Sequence, residues 1–180
     1  MKSYKIKLCA VLLSSILAAS CGDSIEEQSQ DGSNSSSTVV TNSKLTVAFT
    51  SQKVDVSMGE NFTLDISMSN FPVSEGGGVS VIFDPSMLNV SNVTIDAGSW
   101  DFVNKVGNID NNGGIISDIL FSSYNGVSGD SQIASITFNA IGSGSSQVVL
   151  QGSSVNPFSS DGKIVVTNFI HSNIQIATAQ

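Results

Sequence analysis

Phe62, Thr63, Leu64, Asp65, Ile66, Ser67 and Met68 alternate apolar and polar side chains without a break. A period of two puts Phe62, Leu64, Ile66 and Met68 on one side of an extended backbone, whereas a helix would scatter them around its axis. One side is core and the other wet, as in antiparallel sheets. The pattern recurs, with a less regular start, in Ile133, Ala134, Ser135, Ile136, Thr137 and Phe138. From Leu45 onward the chain is a series of such runs bounded by Gly, Asn, Asp, Ser and Pro. They predict strands at Leu45–Phe49, Lys53–Val56, Phe62–Met68, Gly78–Phe83, Leu88–Ile95, Phe102–Val106, Ile115–Ser122, Gln132–Ala140, Gln147–Leu150 and Ile164–Ile170, and no helix of useful length. About nine strands in roughly 135 residues predict an all-β fold, a two-sheet antiparallel β-sandwich with jelly-roll topology. There is no repeat at a solenoid period.

The start of the chain has a different logic. Lys2, Lys5 and Lys7 precede an apolar stretch from Leu8 to Leu17, which ends in Ala18, Ala19 and Ser20 before Cys21. This is the layout of a secretory signal, and the apolar run is shorter than the ~20 residues a membrane-spanning helix needs. Leu17-Ala18-Ala19-Ser20-Cys21 resembles the bacterial lipobox, with Ala18 where that motif more often has Leu. The resemblance implies cleavage after Ser20, lipid attachment at Cys21 and retention at a membrane surface. Gly22 stands where inner-membrane retention favours aspartate, so the expected location is the outer membrane or cell surface. The segment after Cys21 up to Ser43 is almost free of apolar residues and is expected to act as a flexible tether. The expected organisation is a signal peptide at 1–20, lipidated Cys21 and tether at 21–43, and one domain at 44–180.

This organisation excludes several functions. Cys9 leaves with the signal and Cys21 takes the lipid, so the domain has no thiol for a disulfide, a metal site or a nucleophile. Cleavage also removes three of the seven basic residues, leaving four lysines against 15 acids. A net charge of roughly −11 opposes nucleic-acid binding, which needs a basic patch to neutralise phosphates.

Three spaced segments then coincide: Val56 to Ile66 (Val-Ser-Met-Gly-Glu-Asn-Phe-Thr-Leu-Asp-Ile), Gly78 to Val90 with Phe83-Asp84-Pro85-Ser86-Met87-Leu88 at its centre, and Ile133 to Ala140 followed by Gly142-Ser143-Gly144. In this order they resemble the bacterial cohesin domain over about Leu45 to Ile176. The resemblance implies a nine-stranded jelly roll, similar in fold to cellulose-binding modules, that docks a protein module on one sheet face. The family's partner is a calcium-loaded dockerin. Independently, Pro85 presets φ for a turn after Phe83, and the flanking alternation makes Val79, Val81, Phe83, Leu88 and Val90 core candidates.

Other candidate sites are sparse. Asn108 to Gly113 imitates the start of a calcium loop, but the twelfth position is Ile119 and the flanks are strands, so a hairpin turn is expected. His171 is the only histidine, which leaves no partner for a zinc site, and no nucleophile-elbow sequence accompanies it. The acids are scattered over polar strand faces and turns, where solvation is the simpler reading than a glycosidase pair. No cofactor and no catalytic residue is expected. Trp100 and Tyr124 are the candidate ligand-binding residues, because a pyranose stacks on an aromatic face; Phe121 and Phe158 are the only other rings considered, and a core role for Trp100 stays open. Three functions remain: docking of a protein module such as a dockerin, polysaccharide binding through Trp100 and Tyr124, or a structural role in the envelope.

Overall fold

A computed structural model describes residues 45–179 of the chain; the signal, Cys21 and the tether to Ser43 lie outside the described residues. The strands are β1 (Thr46–Phe49), β2 (Lys53–Ser57), β3 (Asn61–Ile82), β4 (Leu88–Ile95), β5 (Phe102–Asp110), β6 (Ile115–Ala140), β7 (Gly144–Gly152), β8 (Ser159–Ser160), β9 (Lys163–Ile164), β10 (Asn168–Ile170) and β11 (Ser172–Ala177). No helix occurs among the described residues.

Two long strands organise the sandwich. The first half of β3 pairs with the second half of β6, Leu64 opposite Ile136 and Ile66 opposite Ala134, and its second half pairs with the first half of β6, Val79 opposite Ile119 and Val81 opposite Ile116. The sequence predicts four separate strands here. The structure instead joins them in pairs through a corner, with register shifts between Ile66 and Gly76. Asn70 (φ 60°), Gly126 (φ 72°) and Gly129 (φ 73°) supply the left-handed residues at that bend. Such irregularities let a strand leave one layer and enter the other.

One layer therefore runs β4, the second half of β6, the first half of β3, β1, β10. The other runs β5, the first half of β6, the second half of β3, β7, β11, β2. Pairing is antiparallel except for β1 with β10 and β11 with β2. The result is an all-β, two-layer jelly-roll sandwich.

The alternating residues meet between the layers. Leu64, Ile66, Met68, Ile136 and Phe138 come from the first layer and Val79, Val81, Ile116, Ile119 and Phe121 from the second, all buried. Phe83, Leu88 and Val90 are buried too, and Phe83 meets Phe138 edge-on at 5.7 Å between ring centroids. Phe62 is only half-buried and stacks on Phe138 at 5.6 Å. The β3–β4 turn follows from Asp84-Pro85: the Asp84 carboxylate accepts from the Ser86 amide (2.9 Å) and hydroxyl (2.6 Å).

Two differences lie at the C-terminal end. The predicted Ile164–Ile170 strand is broken into β9 and β10, and β11 was not among the predicted strands. Ile174 and Ile176 alternate with Asn173 and Gln175, so β11 carries the same period-two signal as the other strands.

Candidate functional site

Because paired residues share a face, the burial of Val79 with Ile119 and Val81 with Ile116 fixes what points outward from the second layer. Ile82 lies between Ile115 and Val149, its partners on the two neighbouring strands. Farther along, Leu120 opposes Lys105, and Phe102 opposes Ser122. Ile82 and Phe102 are 39% and 51% exposed, and Ile115, Leu120 and Val149 are half-buried. Two apolar spots thus flank a polar centre on this face.

Asp118 is that centre. It has φ 58°, a left-handed conformation that a residue with a Cβ rarely adopts, and it sits where β6 shifts register against β3. Asp is among the side chains that tolerate this region best. Its amide donates to Ser80 Oγ at 3.1 Å, and its carboxylate accepts from Ser153 Oγ at 2.8 Å and approaches Lys105 Nζ at 3.8 Å. The bulge turns a carboxylate and an ammonium onto the outer face between the apolar spots. Gly78 lies beneath Leu120: a Cβ there would come within 2.6 Å of the leucine Cδ2, so glycine lets this side chain lie flat on the sheet.

The outer face of the first layer is of another kind. Its outward rows hold Thr63 opposite Thr137, Asp65 opposite Ser135 and Asn61 opposite Asn139, with Asn92 and Thr94 on β4. These side chains bond one another: Ser135 Oγ donates to Asp65 Oδ1 at 2.5 Å, Gln132 Nε2 to Ser135 Oγ at 2.9 Å, and Asn92 Nδ2 to Thr94 Oγ1 at 3.1 Å.

The two candidate sugar-binding aromatics part company. Trp100 is 1% exposed, packs on Phe121 at 4.5 Å between ring centroids, and donates its Nε1 hydrogen to the Gln132 carbonyl at 2.9 Å. Its ring fills the core and presents no face to a sugar, so the stacking role expected of Trp100 is corrected to a packing role. Phe121 and Phe158 are buried as well, whereas Tyr124 is 86% exposed. Asp101 brings the two segments together, accepting from Ser123 Oγ at 2.8 Å and the Tyr124 amide at 3.0 Å. The Ser123 hydroxyl first, and then the Tyr124 amide, hold the Asp101 carboxyl below the usual aspartate value. Asp84 is lowered in the same way by Ser86.

The calcium-like segment forms the β5–β6 turn. Asp110 Oδ1 accepts from the amides of Asn112 (3.0 Å) and Gly113 (2.9 Å), while the Asn111 side chain bonds both the amide (2.8 Å) and the carbonyl (3.0 Å) of Val90. Its oxygens are spent on the backbone, and Asn111 acts as a stand-in strand at the edge of β4. His171 Nδ1 accepts from the Leu150 amide at 3.1 Å, a role in joining β7 to the chain between β10 and β11. No group of three or more His, Cys, Asp or Glu converges among the described residues. Sequence reasoning missed Asp118 and Leu120, because their orientation depends on a bulge that period two does not reveal, and it missed the Ile82 pairs because pairing between strands is not written in one strand's pattern.

Comparison with protein-family models gives no match, and comparison with curated proteins gives none. Solved structures do match. A type I cohesin–dockerin complex from Clostridium thermocellum superposes with a TM-score of 0.62 at 17% identity, covering 76% of this chain and 95% of that one. A non-cellulosomal cohesin from the hyperthermophilic archaeon Archaeoglobus fulgidus gives 0.58 at 18% identity, covering 74% and 91%. The solution structure of CaCohA2 from Clostridium acetobutylicum gives 0.57 at 16% identity, covering 74% and 92%. The chain therefore has the fold of cohesin domains.

Proposed function

We propose that this chain is a non-catalytic docking lipoprotein, held at the outer membrane or cell surface by lipid on Cys21, whose domain captures a protein module on the outer face of its second layer. Residues 1–20 act as the signal peptide, 21–43 as lipidated cysteine and tether, and 44–180 as the domain. The observation that carries the docking role is the grouping of Ile82, Ile115, Val149, Leu120 and Phe102 around Asp118 and Lys105 on one face. Apolar side chains with a fixed polar pair among them suit a protein interface, where desolvated anchors supply affinity and polar groups fix register. Cohesin folds solved in complex with dockerins support a module of that kind as the partner. Docking needs complementary shape and no chemistry.

A second reading, polysaccharide binding, now rests on Tyr124, whose ring is open to solvent. One ring is a small platform. Residues 44–180, made without the lipid, are to be incubated with secreted and surface proteins of the producing cell, with calcium or chelator. Calcium-dependent recovery of one protein, abolished by Ile82→Ala with Leu120→Ala, is the expected result. Retention on polysaccharide that Tyr124→Ala abolishes, without protein capture, favours the second reading. Neither ligand leaves an envelope assembly role.

A further inference from the structure

A separate set of apolar side chains gathers where the chain joins the domain. Thr46 pairs with Ser69 of β3 and Asn168 of β10, so β1 starts at the end of the sandwich where β3 turns its corner. Val73, Ile164 and Val166 lie at that end, 53%, 73% and 86% exposed. They are held in place rather than trailing. Ser160 Oγ donates to the Val73 carbonyl at 2.7 Å, the Gly162 amide to Glu75 Oε1 at 3.3 Å, and the Val165 amide to the Phe158 carbonyl at 2.9 Å. Gly126, on the neighbouring corner of β6, lies against the Val73 side chain, and Tyr124 is two residues away. The corner of β3, strand β9 and the segment after it thus hold apolar tips away from the core, with Lys163 next to Ile164 in sequence and a tyrosine nearby. That combination suits a lipid interface, where an aromatic with a polar tip and a lysine sit at the headgroups.

We infer that this end of the domain rests on a lipid surface, with Val73, Ile164 and Val166 entering the headgroup region and Tyr124 and Lys163 beside them. The inference rests on the reading of Cys21 as the lipid anchor. The chain between Cys21 and the first described residue reaches the domain at this end, and about 23 residues span on the order of 25 Å. Attachment of the chain at this end favours contact here over the far end of the sandwich. Once the chain is anchored the contact is intramolecular, so three small insertions suffice where a free domain would not stay bound. Asp161 and Glu75 also lie here, so the surface favours zwitterionic lipid over a strongly anionic one.

The test uses the full lipidated chain in phosphatidylcholine–phosphatidylethanolamine vesicles carrying a nitroxide lipid. Ile164→Cys and, on the polar outer face, Thr137→Cys are each labelled with an environment-sensitive dye; the mature chain has no other unmodified thiol. Quenching at position 164 several-fold above that at 137, reduced when Val73→Ser and Val166→Ser are added, is the expected result. Equal and weak quenching at both positions overturns the contact, and self-quenching at 164 that follows protein concentration overturns it in favour of a second copy. Cys21→Ser is measured alongside. If that variant leaves the vesicles while 164 in the lipidated chain stays unquenched, the anchor stands and the contact falls. If it remains bound, lipid on Cys21 is not what holds the chain, and both the anchor and the contact argued from it fall.

Discussion

The two outer faces of the sandwich are built largely on the same two strands, β3 and β6, which cross from one layer to the other, yet they carry opposite chemistry. On the first layer Thr63, Thr137, Asp65 and Ser135 sit over buried Leu64, Ile66 and Ile136, and their polar atoms bond one another. On the second layer Ile82, Ile115 and Leu120 sit over equally buried Val81, Ile116 and Ile119. Folding needs only the inward row on each layer. Outward apolar residues there add surface that the fold does not require, which is the feature the proposed docking uses. The polar face shows the same backbone carrying side chains that bond one another instead.

The largest expected effect separates the faces by binding. Replacing Ile82 and Leu120 together by alanine is expected to weaken capture of the docked module by at least about 30-fold, roughly 2 kcal/mol, as loss of interface anchors does. Thr63→Ala with Thr137→Ala is expected to change it less than about twofold, within the range of neutral surface substitutions. Both pairs are compared by titration calorimetry with the recovered partner. Equal losses on the two faces remove the assignment of the site to the second layer.

Next in size is the stability of the polar centre. Asp118→Ala loses the acceptor for Ser153 and sets a Cβ with no compensating polar group at φ 58°, and is expected to cost about 1–2 kcal/mol. Asp118→Gly recovers the backbone part of that loss, and Asp118→Asn keeps an acceptor for Ser153 while losing the charge opposite Lys105. An exposed ion pair of this kind contributes about 0–1 kcal/mol. Urea midpoints are therefore expected in the order wild type, Asn, Gly, Ala. If glycine is the least stable of the four, the conformation at 118 is not what the site pays to hold.

The smaller effects bear on what could be read from sequence. Alternation at Phe62–Met68 and the Asp84-Pro85 turn were enough for the fold class, because inward burial along regular strands follows directly from period two. The corners of β3 and β6 were not legible: Asn70, Gly126 and Gly129 read as strand terminators, and only tertiary pairing shows that the chain continues through them. The proposed docking face is legible only in part for the same reason. Alternation with Val81 and Phe83 already turns Ile82 outward, but Leu120 carries no such signal: it takes the bulge at Asp118 to turn Leu120 outward while Ile119 points in. Trp100 stays open between core and ligand in the sequence, since one aromatic between turn residues carries no period that says which way it faces; the structure gives it the core role.

The smallest expected effect is on pH, and it again divides the layers. Asp101 ties the start of β5 to β6 at the margin of the second layer, and its carboxyl is held below the ordinary value of 3.8 by Ser123 and Tyr124. A group whose value is lowered by folding contributes stability that is full above 3.8 and is lost as pH falls through the lower folded value. The amide resonances of Ser123 and Tyr124 should therefore titrate with a midpoint below 3.8, and Asp101→Asn should abolish that titration. In the first layer, Thr63 and Thr137 bond each other through neutral hydroxyls, so their resonances should not follow the Asp101 transition. Acid is then expected to loosen the β5 edge beside the proposed docking face while the polar face keeps its pairing. Simultaneous loss of both sets of resonances would mean that the two layers unfold as one unit, and that the difference between them is confined to their surfaces.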